Sequence, residues 1–122
     1  MKSQTILLVD DSDMVLRLTG SLLKKAGYNV INGTNGKEGL AKLDGQEIDL
    51  LITDLNMPEM DGIELIQAMR KMPYYRFLPA ILFMSAPYND VENVIRTSTA
   101  TVLFDKDVIK NKMVSTVSKL LI

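Results

Sequence analysis

Five times along this chain a short apolar run is followed by a longer segment of helical period, and no other feature restricts the possible folds as much. The runs are TILLV (5–9), NVIN (29–32), IDLLIT (48–53), AILFM (80–84) and TVLF (101–104). The helical segments cover 13–26, 36–43, 61–72, about 88–98 and 107–121. Strands that are apolar on both faces, each followed by a helix, predict an α/β fold in which a five-stranded parallel sheet is doubly wound, with helices on both faces. In the first helix Met14, Val15, Leu18, Leu22 and Leu23 form the expected core stripe, and Gly27 stands where a C-terminal cap prefers glycine. The last helix repeats the pattern with Ile109, Met113, Val117, Leu120 and Leu121, and the methionines are read as core filler. At 122 residues, 47% of them hydrophobic, the expectation is one domain over 1–122 around a single core.

Composition removes whole classes of chemistry. The chain has no cysteine and no histidine, so disulfides, thiol nucleophiles, Ser/His/Asp triads and the usual zinc sites are out of reach. Carboxylates, hydroxyls and lysines remain. The 14 basic and 15 acidic residues are interspersed and sum to −1, which gives no general attraction to nucleic acid or to an anionic membrane. The opening MKSQ runs straight into the first strand, so neither a secretory signal nor a membrane span is expected, and the cytoplasm is the expected compartment.

In a parallel sheet all C-terminal strand ends share one edge, and open sheets of this kind bind ligands in the crevice beyond it. The first strand ends in Asp10, Asp11, Ser12 and Asp13, the third in Asp54, the fourth in Ser85, the fifth in Phe104, Asp105 and Lys106. The second ends in Asn32 and Gly33, which carry no evident chemistry. Asp10, Asp11 and Asp54 brought together would repel one another unless a cation filled the gap. Few protein oxygens with room for water suit Mg²⁺ better than Ca²⁺, and the Asn56 carbonyl is the natural extra donor. Ser85 can donate to an oxyanion, and Lys106 is a mobile charge for a carboxylate or a phosphoryl oxygen. Together these groups make an anion trap fitted to a phosphoryl group transferred to Asp54. Taken singly, each has a plainer reading. Asp10 to Asp13 could cap the first helix, Ser85 could be a turn residue, Lys106 a solvated lysine, Asp61 a helix cap, and Pro58 and Gly62 turn formers. Their joint placement at one edge is what favours the trap.

The stretches LLVDDS (7–12) and DLNMPEMDG (54–62), the Ser85–Ala86 pair and Lys106, at these separations, resemble the receiver domain of two-component response regulators, the CheY-like, flavodoxin-like fold. YRFLPAILFMSA (75–86) looks more like the single-domain chemotaxis branch than the DNA-binding regulators. The strand order 2-1-3-4-5 comes with this resemblance and not from periodicity. The resemblance further implies that Asp54 is the phosphoacceptor and that Asp10, Asp11, Asp54 and Asn56 hold Mg²⁺. Ser85 and Lys106 would grip the phosphoryl oxygens, and Asn56 and Pro87 would tune its lifetime. The implied partners are a sensor histidine kinase or phosphotransfer protein as donor and a downstream protein target, with no direct nucleic acid and no membrane. The output would pass through Ser85 and the position of Leu103 to the face of the fourth helix, fifth strand and fifth helix.

Three departures bear on that output. Leu103 stands where the family usually has an aromatic, and Phe104, one place on, should point to the opposite face. Asp107 follows the lysine where the family has proline across a cis bond; without proline that bond costs about 3 kcal/mol, so the connection is either trans and rearranged or strained. Thr99 replaces a usual glycine and could not take a positive φ cheaply. Two rival readings stand beside the phosphoacceptor switch. One is a receiver-like binding module that works without phosphorylation. The other is an aspartate-nucleophile phosphatase, for which Asp11 and Asp13 have the right spacing but the chain has no room for a cap domain.

Overall fold

The computed structural model describes residues 3–85 and 91–121. Ten main elements alternate along it: β1 (Thr5–Val9), α1 (Asp13–Lys25), β2 (Asn29–Gly33), α2 (Gly36–Lys42), β3 (Leu50–Asp54), α3 (Gly62–Arg70), β4 (Ala80–Met84), α4 (Val91–Ser98), β5 (Val102–Asp105) and α5 (Ile109–Leu120). Every strand pairs in parallel, in the order β2-β1-β3-β4-β5. The doubly wound sheet and the strand order that came with the family resemblance are both present.

The pleat sends alternate strand residues to opposite faces, so the sheet separates two cores. Leu7, Val9, Leu51 and Leu82 meet Leu65, Ile66 and Met69 of α3 and Val94 of α4 on one side. On the other, Ile6, Leu8, Leu50, Ile52, Ile81 and Phe83 meet Leu16 and Leu23 of α1 and Ile109, Met113 and Val117 of α5. Each fully buried aliphatic side chain contributes about 1.5–3 kcal/mol. β3 and β4 are buried along their whole length, which is why their sequences show no alternation.

The α1 stripe differs from the one expected. Met14 is 78% exposed, and the buried row is Leu16, Thr19, Gly20 and Leu23, with Val15, Leu18 and Leu22 only partly covered. Two of the four buried positions are threonine and glycine, which an apolar pattern does not register. Met14 lies in the first turn, so not every methionine is core filler, although Met57, Met69, Met84 and Met113 are buried. In the segment expected as helix from about residue 88, α4 begins at Val91, and 86–90 lie outside the described residues. The segment expected as helix from 107 opens instead with a single 3₁₀ turn, Lys106–Val108, whose Asp107 N–H donates to Asp105 Oδ1 at 2.9 Å.

Helix starts follow their caps. Ser12 Oγ accepts from Val15 N–H, Asn35 Oδ1 accepts from Glu38 N–H, and Asp61 with Glu64 closes a reciprocal capping box at 2.8 and 3.1 Å. Gly27 ends α1 at φ +100°, as its position predicts. The long connection after α3 is pinned by Tyr75. Its buried hydroxyl accepts from Gly45 N–H and donates to the Gln46 carbonyl. α3 also holds the end of α4: Gln67 Nε2 donates to the Thr97 carbonyl at 2.7 Å and Arg70 Nη2 to the Thr99 carbonyl at 3.1 Å. Arg70 Nη1 donates to the carbonyls of Arg76 and Leu78 as well. Thr99 takes the glycine-like conformation, φ +56°, despite its branched side chain. A branched side chain takes this left-handed conformation only under strain.

Candidate functional site: a carboxylate edge with one lysine

Four strand ends meet, as parallel pairing requires. Asp10, immediately after β1, is wholly buried, and its Oδ1 accepts the Ser12 N–H at 2.9 Å. That bond turns the chain and leaves Ser12 free to cap α1, so the capping reading and the site reading hold together. Asp54 is the last residue of β3 and 5% exposed, whereas Asp11 is exposed. One carboxylate oxygen from each of Asp10, Asp11 and Asp54 lies within 4.8 Å of the other two. Lys106, the first residue after β5, places Nζ 3.0 Å from Asp10 Oδ2 and 3.0 Å from Asp54 Oδ1. Its side chain is only 16% exposed, so the surface-lysine reading does not hold.

Electrostatics follow from this crowding. Burial pushes the Asp54 carboxyl above its usual range; the Lys106 hydrogen bond opposes this, while the charges of Asp10 and Asp11 add to it. Burial works against the Lys106 ammonium, but its bonds and charge interactions with Asp10 and Asp54 outweigh that and hold its pKa above the ordinary lysine value. Three carboxylates against one ammonium leave a formal excess of two negative charges. The donor atoms are all oxygens. Such a set fits one hard divalent cation, which would balance that excess.

The remaining predicted residues fall around this centre. Ser85 directly follows β4 and is exposed; the register that pairs Met84 with Asp105 makes Ser85 and Lys106 the next residues on neighbouring strands. Asn56 is exposed at the start of the loop after β3. Pro87 lies outside the described residues. Leu103 is partly buried against the core under α3 and α4, while Phe104 is buried in the other core, its ring centroid 5.7 Å from that of Phe83. The expected opposition of the two faces is therefore present.

Sequence reasoning took Gly62 for a turn former, and the structure gives it another reason. A Cβ there would strike the Asp54 carbonyl oxygen and lie 2.7 Å from Leu82 Cδ1. The start of α3 thus packs against the backbone of the central carboxylate, with Gly62 N–H donating to the Leu55 carbonyl at 2.9 Å and the Thr53 hydroxyl donating to the Asp54 carbonyl at 3.0 Å. A Cβ at Gly36 would likewise strike Met60, which seats the loop between β3 and α3 on α2. In that loop Glu59 sits at φ +68° and its carboxylate meets Lys37 Nζ at 2.9 Å. The run MPEMDG carried the only sequence sign of this packing, its closing glycine.

Among proteins of known role, the chain is 42% identical over 71 residues to the transcriptional regulatory protein GlrR of Escherichia coli, an alignment covering 58% of this chain and 16% of that protein. It is 37% identical over 79 residues to the chemotaxis protein CheY1 of Helicobacter pylori, covering 63% of this chain and 64% of that one. Its backbone superimposes on the chemotaxis response regulator CheY4 of Vibrio cholerae with a TM-score of 0.90 at 28% identity, over 98% of this chain and 100% of that chain. Residues 6–118 match the response regulator receiver domain. With the strand order, the carboxylate edge and the lysine already in place, the chain belongs to the response regulator receiver domain family.

Proposed function

We propose that this chain, as a single receiver domain over 1–122, is a phosphoacceptor switch of a two-component system. Asp54 is the acceptor. The observation that carries the reading is the bridging lysine: Lys106 Nζ stands 3.0 Å from both Asp10 and Asp54, within a cluster of carboxylates at the edge where such sheets bind ligands. With Oδ1 of Asp54 turned to Lys106, Oδ2 is the atom that attacks phosphorus. A bond from Asp54 to phosphorus forms as the bond from phosphorus to the donor's nitrogen or oxygen breaks. The donor lies outside these 122 residues, which contain no histidine. A phosphohistidine on a sensor kinase or a phosphotransfer protein fits that need.

Asp10, Asp11, Asp54 and the Asn56 carbonyl would hold Mg²⁺, which when bound supplies neutralisation of the phosphoryl oxygens. Lys106 then exchanges a carboxylate partner for a phosphoryl oxygen, and Ser85 donates a second hydrogen bond to it. Asn56 and Pro87 set how easily water reaches the phosphorus, and hydrolysis resets the switch. Movement of Ser85 and Lys106 biases the α4–β5–α5 face, with Leu103 in place of an aromatic reporter, and that face meets a downstream protein in the cytoplasm. The likeness to the chemotaxis protein CheY1 supports a place in chemotaxis signalling. Among the described residues no helix is long and apolar enough to cross a membrane.

The test is incubation with acetyl phosphate and Mg²⁺ followed by intact mass measurement. One added phosphoryl group is expected, lost with EDTA and in Asp54→Asn. Modification that persists in Asp54→Asn refutes the assignment of the acceptor. No gain in the wild-type chain under any donor favours the binding-module reading instead.

A further inference from the structure

Along the outer side of α1, where the sheet ends at β2, runs an open groove of about 700 Å³. We propose that it is a binding site for a nucleotide-sized organic phosphate, a site that reaches the strand-end edge at Asp13 and Asn32 but includes none of Asp10, Asp11, Asp54 and Lys106. Three observations carry this. First, a volume of this order falls in the usual range for small-molecule sites, and the lining mixes apolar Leu16 and Gly20 with the hydroxyls and amide of Ser21, Thr34 and Asn32. Second, its charge is polarised. Lys24 and Lys25 line one end, where the C-terminal turn of α1 already lies, and Arg17 stands midway; the stripe from Arg17 to Lys25 is about 12 Å long. The other end holds Asp13, paired with Arg17 at 2.6 Å, and Thr34, whose hydroxyl donates to Glu38. A ligand that matches both ends carries phosphate toward the lysines and hydroxyl groups toward Asp13, Asn32 and Thr34.

Third, the floor contains a glycine that the fold does not require. Gly20 lies in mid-helix, where glycine costs about 1 kcal/mol relative to alanine. A Cβ there would meet only Val30 Cγ1, at an ordinary 4.0 Å, and the residue is not among those with positive φ. Neither packing nor backbone conformation asks for glycine, so what its missing side chain preserves is the depth of the groove. A merely solvated helix end accounts for the lysines but not for Gly20.

The experiment is a titration of ¹⁵N-labelled protein in EDTA with ATP, AMP, adenosine and tripolyphosphate, followed by amide chemical shifts. ATP and AMP should give saturable shifts centred on Ser21, Asn32 and Thr34, with dissociation constants in about the millimolar range or tighter. Adenosine and tripolyphosphate should each bind about tenfold more weakly than ATP, because each lacks one half of the match. Gly20→Ala should fold with an unchanged or higher thermal midpoint, while Gly20→Leu should fill the floor and abolish the shifts. The double variant Lys24→Ala/Lys25→Ala should keep its thermal midpoint and weaken ATP about tenfold; it decides the matter should Gly20→Leu not fold. Equal binding of tripolyphosphate and ATP, shifts centred on Asp54, absence of saturation, or wild-type affinity in the lysine variant overturns the site. Asp54→Asn should bind ATP as the wild type does, so this result is independent of the phosphoacceptor reading.

Discussion

Replacing Asp54 by asparagine should stabilise the metal-free protein. At an effective dielectric of about 20, a like charge within 4.8 Å, as an Asp10 oxygen is, costs about 3.5 kcal/mol or more, and solvent screening lowers the share of exposed Asp11. Lys106 at 3.0 Å returns about 5.5 kcal/mol. The pair interactions nearly cancel, which leaves burial to decide, in agreement with the upward direction of the Asp54 pKa. An amide keeps an oxygen for Lys106 and sheds the desolvated charge, so the expected gain is about 1 kcal/mol, or roughly 3–5 °C in Tm for a domain of this size.

The pH dependence has a definite sign. Because the folded carboxyl titrates above its unfolded value, the folded chain holds more protons between the two. Asp54's contribution to stability is therefore most favourable below the unfolded pKa, declines as pH rises through the folded one, and is flat above it. The gap between Asp54→Asn and wild type should open from near zero in acid to its full size at neutral pH. Thermal melts in EDTA across a pH series measure it, and excess Mg²⁺ should reverse the order, since a ligand at about 100 times its Kd adds about 2.7 kcal/mol to the form that binds it. A lower Tm for Asp54→Asn than for wild type in EDTA at pH 7 would refute the reasoning.

Lys106→Met leaves buried Asp10 beside Asp54 without a cation; in EDTA it should lose about 3 kcal/mol by urea melts, and Mg²⁺ should restore more stability to it than to wild type. Gly62→Ala drives a methyl into the Asp54 carbonyl and Leu82, so a loss of about 1–3 kcal/mol is expected from the same melts; a neutral result would mean that α3 can shift away. Thr99→Gly relieves a left-handed β-branched residue at some cost in unfolded-chain entropy, for a net gain of about 0.5–1 kcal/mol in chemical denaturation.

How far the site could be read from sequence depended on what kind of contact made it. Asp10, Asp11, Asp54 and Lys106 were legible because parallel topology alone sends every strand end to one edge, and each of them closes a strand. The order of the strands was not, because nothing in the periodicity says which runs are neighbours; it came only with the family motifs. The α1 seam was read only in part: Leu23 lies in it and Val15, Leu18 and Leu22 pack against its edge, but Met14 is exposed, and Thr19 and Gly20 are buried for size and position, not for hydropathy. Lys106 was expected to grip a phosphoryl group, yet its resting bridge between two carboxylates depends on how far one side chain reaches across two strands. Gly62 was seen as a turn and proved to be a clearance. At Thr99 a positive φ was expected to be costly, yet the residue adopts one, and a long-range hydrogen bond from Arg70, 29 residues away in no recognisable motif, meets its carbonyl there.

Those bonds make α3 a strut. Its first residue is jammed against the backbone of Asp54, and its last grips the carbonyl where α4 turns into β5, so a single helix joins the acidic cluster to the far end of its neighbour on the same face of the sheet. A small push on the aspartate backbone need not travel through side-chain rearrangements to be felt there. It can arrive as a tilt, and the leverage would be altered by trimming Arg70 without disturbing any member of the acidic cluster.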